Sequence, residues 1–164
     1  MVPELNTHYC HRFTSALGLL TVTSDGTHIT GLWMEGQSYF PSRLPASNGA
    51  ELPVIMLLQQ LLDDYFAGRK PDFNTIPVKP NGTPFQMLVW ESLQRIPYGA
   101  TVTYGELACS IGKPTATRAV GAAVGHNPIS VLIPCHRVIG AAGQLTGYAG
   151  GIDRKQFLLN LERK

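Results

Sequence analysis

The hydrophobic pattern changes from a strand pattern to a helical pattern along the chain, and this change limits the folds available to it. Residues 19–23 and 29–34 are short runs rich in branched and aromatic side chains, joined through Asp25-Gly26. An Asp-Gly pair between two such runs is typical of a β-hairpin. Residues 54–66 instead repeat apolar side chains at helical spacing. The first half is therefore predicted to be a small antiparallel sheet with one helix packed on it.

The second half is predicted to be mainly helical. Thr83-Pro84 is typical of a helix start, and a capping-box pattern at residues 103–106 opens a second helix. A tight turn at residues 112–114 ends that helix, and a third helix spans about residues 115–125. Two helices joined by a short turn that contains glycine have the outline of a helix-turn-helix.

A connecting segment lies between the halves. Residues 68–82 contain three prolines and scattered charges, which is typical of a connection between domains. We therefore predict a sheet-plus-helix domain over residues 1–78 and a C-terminal domain over residues 79–164, which carries the helix-turn-helix. The fold class is α/β, of the α+β kind.

Charge is divided unevenly along the chain. Residues 1–81 contain five Lys or Arg and seven Asp or Glu, a net charge of −2, whereas residues 82–164 contain eight and four, a net charge of +4. A positive field attracts a polyanion, but many domains without nucleic-acid partners carry as much charge. The charge alone therefore does not decide whether the binding partner is a nucleic acid.

Several classes of protein are not indicated by the sequence. Without a run of about 18 apolar residues or a basic start followed by an apolar segment, neither a membrane span nor a signal peptide is predicted, and the cytoplasm is the expected location. Three cysteines without close spacing argue against a disulfide framework. No metal site is predicted, because no standard ligand spacing is present among His8, Cys10, His11 and His28.

A thiol and an imidazole lie side by side at a forced turn. The apolar run at residues 131–133 ends at Pro134, which prevents a regular continuation, and Cys135 and His136 follow. Cysteine attacks as the thiolate, and a histidine within reach is its usual activator. The alternative is a buried structural cysteine beside a hydrogen-bonded histidine, which is the commoner state of a bare Cys-His pair.

The motifs around this pair form an ordered set. They are Arg118-Ala119-Val120-Gly121, His126-Asn127-Pro128, Pro134-Cys135-His136-Arg137-Val138, residues 145–151 and Glu162. Together they resemble the O6-alkylguanine-DNA alkyltransferases, also called methylated-DNA-protein-cysteine methyltransferases. The resemblance rests on specific motifs over roughly residues 83–162 and on a general pattern before them.

The resemblance implies DNA repair by direct reversal of the damage, without a cofactor. Cys135 would take a methyl or larger alkyl group irreversibly from O6-alkylguanine, and from O4-alkylthymine, after the base is flipped out of the duplex. His136 would act as a base through a water and be oriented by Glu162, while Tyr104 would supply a proton to N3 of guanine. Asn127 would hold the backbone around the active-site turn.

The resemblance also implies how double-stranded DNA is bound. Arg118 would enter the base stack, and its slim helix would enter the minor groove. The contacts of that helix are assigned to Ala116, Thr117, Ala119 and Gly121, of which Thr117 is larger than the residue usual in the family. On the sequence alone, packing of this helix into the core is an equal alternative. The pocket for the flipped base is assigned to Ser130, Val138, Tyr148, Ala149 and Gly150. A monomer without membrane contact is expected.

Two other functions fit parts of the sequence. A Cys-His hydrolase that acts through a thioester would need oxyanion donors, but no arginine on a slim helix. Product formed in excess over protein would favour this hydrolase. A DNA-binding regulator without enzymatic activity would use Cys135 only as a structural residue, whereas alkyltransferase-like relatives that bind lesions without repair lack the reactive cysteine.

Overall fold

The first half of the chain forms a four-stranded sheet in a computed structural model that describes residues 8–164. The strand order is β3-β2-β1-β4. The strands are β1 (Tyr9–Ser15), β2 (Gly18–Ser24), β3 (Ile29–Met34) and β4 (Ser47–Asn48). The first three pair antiparallel, and the short β4 pairs parallel with β1. The predicted antiparallel sheet is confirmed, and β1 and β4 extend it.

The predicted hairpin joins β2 and β3. One carboxylate oxygen of Asp25 accepts hydrogen bonds from the backbone N–H groups of Thr27 and His28 at 2.9 and 2.7 Å. Gly26 has a φ of +105°, which glycine adopts without steric strain. The turn therefore follows from the same two residues that predicted it.

One helix, α1 (Pro53–Phe66), packs on this sheet. Pro53 lies in its first turn, where the missing N–H has no partner to lose, and Gly68 beyond its end has a φ of +82°. Its buried face belongs to the same core as the apolar side chains of β2 and β3. That face consists of Val54, Ile55, Leu58, Leu62 and Tyr65.

The second half is mainly helical, as predicted. Its helices are α2 (Pro84–Leu93), α3 (Tyr104–Ser110), α4 (Thr117–Gly125) and α5 (Ile152–Glu162). Helices α3 and α4 form the predicted helix-turn-helix. Two short strands that were not predicted, β5 (Val102–Thr103) and β6 (Val138–Ile139), pair in parallel. Among residues 8–164, no helix is long and apolar enough to cross a membrane.

Capping boxes start both α2 and α3. The hydroxyl oxygen of Thr83 accepts from the backbone N–H of Gln86 at 3.1 Å, and the Gln86 side chain accepts from the backbone N–H of Thr83 at 3.0 Å. Thr103 and Glu106 make the equivalent pair at 3.1 and 2.8 Å. Each box satisfies two N–H groups that a helix start would leave unpaired. The second box makes Tyr104 the first residue of α3.

The two halves share one continuous core. The backbone N–H of Leu32 in β3 donates to the carbonyl of Pro128 at 2.8 Å, and that of Ser130 donates back to Leu32 at 3.0 Å. The indole N–H of Trp90 donates to the carbonyl of Ala123 at 2.8 Å and ties α2 to α4. The sheet therefore supports the segment that leads to Cys135 directly. The domain division after residue 78 stays a prediction.

Candidate active site

A strained turn leads into the candidate nucleophile. Val131 has a φ of +72°, an unfavourable left-handed conformation for a β-branched residue. The buried Asn127 side chain offsets this strain. Its amide nitrogen donates to the carbonyls of Ile133 and Ile129 at 2.8 and 3.4 Å, and its oxygen accepts from the backbone N–H of Ile129 at 3.0 Å. One side chain thus fixes the backbone before Cys135.

Cys135 opens a single turn of 3-10 helix directly after Pro134. The residue is only 4% exposed. Burial raises the pKa of the thiol, and this effect exceeds the opposing effects of the Asn127 side chain and the positive charge of Lys155. The resting cysteine is therefore a neutral thiol at neutral pH, and a base must take its proton when it reacts.

The imidazole of His136 is fully buried beside a carboxylate. Its Nε2 lies 2.6 Å from Oε2 of Glu162, whereas its Nδ1 has no hydrogen-bond partner among residues 8–164. Burial lowers the pKa of His136, against the opposing effect of Glu162. The ring is therefore neutral and donates Nε2–H to the carboxylate, which leaves a lone pair on Nδ1 to accept a proton. Within the same residues, no hydrogen bond joins this ring to the Cys135 thiol directly.

The carboxylate of Glu162 is the centre of a buried hydrogen-bond network. Its Oε2 also accepts from the Tyr65 hydroxyl at 2.6 Å and from Arg137 Nη2 at 3.1 Å. Its Oε1 accepts from Arg137 Nε at 2.7 Å and from the backbone N–H of Gly99 at 3.3 Å. Burial would raise the pKa of Glu162, but the hydrogen bonds from His136, Arg137 and Tyr65 hold it well below its usual range. An ionised carboxylate therefore orients the imidazole.

Lys155 on α5 is a buried lysine that the sequence motifs did not predict. It is 1% exposed, and its ammonium group donates to the carbonyls of Val138 and Thr146. Burial lowers the pKa of Lys155, while the nearby Cys135 raises it. A positive charge here favours the thiolate as the proton leaves. The sequence did contain one signal for the burial of Lys155. It shares a helical face with Leu158, Leu159 and Glu162, which are also buried on α5.

Tyr104 joins α3 to the loop of residues 145–151, hereafter the pocket loop. Its hydroxyl donates to the carbonyl of Thr146 at 3.0 Å, and burial raises its pKa. A Cβ on Gly147 would lie 3.1 Å from this hydroxyl, and Gly147 has a φ of +68°. Glycine therefore permits the close approach of the loop to a protonated phenol.

Three residues assigned to the pocket lie on this loop. Tyr148 and Ala149 line a cleft of about 290 Å³ between the pocket loop and α4. The Tyr148 hydroxyl is buried and has no hydrogen-bond partner within residues 8–164, and burial raises its pKa. A Cβ on Gly150 would lie 2.8 Å from side-chain atoms of both Met34 and Tyr148. The loop is therefore closely packed, with an unpaired phenol inside it.

The other two residues assigned to the pocket are buried on either side of Cys135. Ser130 lies in the strained turn, and Val138 follows the 3-10 turn in β6. Val138 accepts the Lys155 hydrogen bond through its carbonyl. Both residues therefore connect the Cys135 segment to its supports through their backbone atoms.

Helix α4 packs through one face and leaves the opposite face open. The buried residues are Val120, Ala123 and Val124, and the exposed residues are Thr117, Arg118, Ala119 and Ala122. Ala116 precedes the first turn and is half-buried. Gly121 faces Tyr104, and a Cβ there would lie at an ordinary 3.8 Å from the ring. Two of the small side chains, Ala119 and Ala122, therefore lie with Arg118 on the open face, where they are not needed for core packing.

The three thiols of the chain lie in different surroundings. Cys10 is half-buried in β1, Cys109 is exposed on α3, and Cys135 is buried; all three are free. Among them, Cys135 is the one placed beside a buried imidazole and carboxylate. Over residues 8–164, no group of three or more His, Cys, Asp or Glu side chains could hold a metal ion.

Both halves of the chain match models of known protein domains. Residues 8–80 match the ribonuclease-like domain of 6-O-methylguanine DNA methyltransferase, and residues 84–164 match its DNA-binding domain. The chain is 45% identical to the methylated-DNA–protein-cysteine methyltransferase of Haemophilus influenzae, over 94% of this chain and 86% of that one. It is 50% identical to the protein of the same name from Mycolicibacterium paratuberculosis, over 92% and 89%.

Solved structures give the same result. The crystal structure of the Mycobacterium tuberculosis O6-methylguanine methyltransferase superposes with a TM-score of 0.81 at 45% identity, covering 95% of this chain and 93% of that one. A structure of the Mycobacterium tuberculosis OGT in complex with DNA gives a TM-score of 0.81 at 43% identity, covering 94% and 92%.

Replacing Glu162 with glutamine should lower the free energy of unfolding by about 3 kcal/mol, because it leaves Arg137 buried without its counter-charge. Urea-induced unfolding at neutral pH measures this change. The matched control is Glu91→Gln, which removes the partner of Arg95 from an exposed ion pair of 3.2 Å. That change should cost no more than about 0.5 kcal/mol. Equal losses in the two variants would contradict the central role of Glu162.

Acid should destabilise the protein in two stages. The pKa of His136 lies below its ordinary value of 6.5 in the folded protein, so the unfolded chain binds the proton first and stability falls as the pH drops through 6.5. Glu162 adds a second loss as the pH drops through its ordinary pKa of 4.5. Thermal unfolding at a series of pH values measures both stages. His136→Asn should abolish the first stage, and its persistence in that variant would refute the assignment.

Proposed function

Because the chain belongs to the methylated-DNA–protein-cysteine methyltransferase family, we propose that Cys135 is the residue that accepts the alkyl group from O6-alkylguanine in DNA. The reaction is DNA repair by direct transfer of the alkyl group to a protein cysteine. The observation that carries the residue assignment is the position of the Cys135 thiol beside a His136–Glu162 pair joined at 2.6 Å.

In the proposed reaction, the sulfur of Cys135 attacks the alkyl carbon while the bond from that carbon to O6 breaks. The thiol proton passes through a water to Nδ1 of His136, and the charge that develops on the ring is stabilised by Glu162. The electron pair of the broken bond moves into guanine, whose N3 takes a proton from Tyr104. The proton on His136 later restores the Tyr104 phenol through solvent. The products are neutral guanine and an S-alkylcysteine.

The surroundings of each group suit these proton movements. Burial keeps the Cys135 thiol protonated at rest and keeps His136 neutral, so the base can take a proton when the thiol meets its substrate. Lys155 stabilises the thiolate without taking part in the proton transfer. Tyr104 must exchange its hydrogen bond to Thr146 for one to the guanine ring, which its raised pKa allows because the hydroxyl remains protonated.

The pocket must open before this chemistry occurs. Cys135 is 4% exposed, so its sulfur must become accessible before an alkylated base can reach it. The unpaired hydroxyl of Tyr148 then becomes a hydrogen-bonding group for the base. Ala149 and Gly150 present backbone close to the same space.

DNA is the partner, and we propose that it binds through its minor groove. The open face of α4 carries Arg118 among small side chains, which suits close approach to a narrow groove. Arg118 would fill the space of the flipped base, at a cost of a few kcal/mol for unstacking that a weakened lesion pair reduces. The excess of positive charge in residues 82–164 would add affinity without sequence preference.

The proposal extends to three further properties. O4-alkylthymine is a second substrate, the protein acts as a monomer, and it works in the cytoplasm. The division into domains at residues 1–78 and 79–164 is part of the same proposal and is supported by the proline-rich connection. No cofactor enters the proposed reaction.

The first test is the stoichiometry and location of the transferred group. Incubation with excess oligonucleotide containing O6-methylguanine should add one methyl group per chain, on the peptide that contains Cys135, because a thioether has no good leaving group for regeneration. Peptide mass spectrometry measures this. Cys135→Ser should keep DNA binding and lose transfer, whereas Cys10→Ser and Cys109→Ser should keep both. Repair of many lesions per chain, or a label on Cys10 or Cys109, would overturn the proposal.

A second test separates base flipping from chemistry. Arg118→Ala should slow methyl transfer by more than about tenfold in duplex DNA but less in a single strand with the same lesion, because a single strand has no orphaned base to stabilise. Tyr104→Phe should slow methyl transfer equally from the duplex and from the single strand, since it removes the proton donor. Single-turnover rates measure the difference. Lys113→Ala, which removes a positive charge from the same motif, is the control, and equal losses for Arg118→Ala on both substrates would argue against flipping.

A further inference from the structure

A segment of the N-terminal half is held against the pocket loop. Residues 35–40, hereafter the β3 loop, follow β3. The buried Gln37 side chain accepts from the backbone N–H of Met34 at 2.7 Å and fixes the start of the loop. The backbone N–H of Ser38 donates to the carbonyl of Ala149 at 2.9 Å. The β3 loop is therefore directly hydrogen-bonded to the pocket loop.

Arg154 joins the same two loops from α5. One terminal nitrogen of its guanidinium donates to the carbonyl of Glu35 at 2.9 Å, and the other donates to the carbonyl of Gly150 at 3.4 Å. A planar guanidinium that bridges two loops restricts their relative position. The β3 loop is thus part of the wall around the pocket.

Tyr39, in the β3 loop, has an exposure and a backbone conformation that are unusual for a large aromatic residue. It is 63% exposed and has a φ of +61°, which is strained for a residue with a bulky side chain. Its ring stacks on His126 with 3.9 Å between centroids. Its hydroxyl has no hydrogen-bond partner in the part of the chain from residue 8 to 164. One ring face and the hydroxyl therefore remain available for a ligand.

The stack continues the open face of α4. Arg118, Ala122 and His126 follow one another at intervals of four residues and are all exposed, so they form one stripe about 12 Å long. His126 is fixed by a hydrogen bond of 2.7 Å from its Nδ1 to the carbonyl of Ala122. Tyr39, His126 and Tyr148 line the same cleft of about 290 Å³. Tyr39 therefore lies where the proposed DNA face meets the entrance to the base pocket.

From this arrangement we infer that Tyr39 binds the deoxyribose and phosphate of the flipped nucleotide. The inference rests on the proposed function, since Arg118 must occupy the base stack while the base enters the pocket. The backbone of that nucleotide then passes between Arg118 and the cleft. The free face of the Tyr39 ring packs on the sugar, and its hydroxyl donates to a phosphate oxygen. The N-terminal half thus contributes to recognition of the lesion.

A purely structural role for the stack predicts a different result. If Tyr39 only clamped the two loops, its ring would matter and its hydroxyl would not, because the hydroxyl makes no bond within the described chain. Tyr39→Phe keeps the ring, the stack and the loop contacts. A loss of DNA affinity in this variant must therefore reflect a lost contact between the Tyr39 hydroxyl and the DNA.

The experiment measures binding of duplexes with and without one O6-methylguanine, in a Cys135→Ser background that prevents transfer. Tyr39→Phe should weaken binding of the methylated duplex about tenfold, as expected for loss of a hydrogen bond to a charged group, and change binding of the unmodified duplex by less than about twofold. Tyr39→Asn tolerates the positive φ and removes the ring, and should lose more. The matched control is Tyr9→Phe in β1, two strands from β3, which should leave both affinities unchanged.

The results separate this inference from the proposed function. Unchanged binding of the methylated duplex by Tyr39→Phe would overturn the contact. Equal losses for methylated and unmodified duplexes would also overturn it, because a contact to the flipped nucleotide exists only after flipping. Methylation of Cys135 in the parent protein tests the proposed function independently. If Cys135 is methylated but either of these binding results is found, the proposed function holds and the role of Tyr39 is refuted.

Discussion

The buried carboxylate of Glu162 is the interaction on which the rest of the site depends. It receives hydrogen bonds from the Tyr65 side chain in the first half, from the His136 and Arg137 side chains, and from the backbone of Gly99. A lone buried carboxylate would be strongly unfavourable, but an arginine and several donors satisfy both of its oxygens. Because these donors come from distant parts of the chain, the His136 imidazole is held in position only when both halves of the chain are correctly assembled.

The backbone before Cys135 shows how strain is tolerated at such a site. A β-branched residue with a positive φ at Val131 is unfavourable in isolation. The Asn127 side chain donates two hydrogen bonds and accepts one, and these bonds, with the pairing of Ser130 with Leu32 in β3, hold the turn in place. The sheet and the asparagine therefore stabilise a conformation that neither local propensity nor the apolar run would choose.

The sequence predicted those features that local chemistry determines. Asp25-Gly26 specified the hairpin, and the capping patterns specified the helix starts. Strand β1 was not predicted because its residues, Tyr9–Ser15, show no apolar alternation; its pairing with β2 is a tertiary effect. The hydrogen-bond partners of Lys155 and Tyr65 were not predicted either, because they too depend on tertiary structure. A lysine usually indicates a solvated surface, and a tyrosine on the apolar face of a helix usually indicates core packing, so neither residue type revealed a partner far away in sequence.

The burial of Cys135 suits the proposed reaction, which uses each protein molecule once. A thiolate exposed at rest would react with any small electrophile or oxidant, and every such event would remove one molecule from repair. Burial raises the pKa of the thiol and covers it, which prevents those losses but also slows the intended reaction. In the proposed reaction, the neutral His136 with its ionised partner Glu162, and the ammonium of Lys155, restore reactivity when the proton is removed. In the proposed reaction, the protein thus keeps its nucleophile protonated until a base takes the proton.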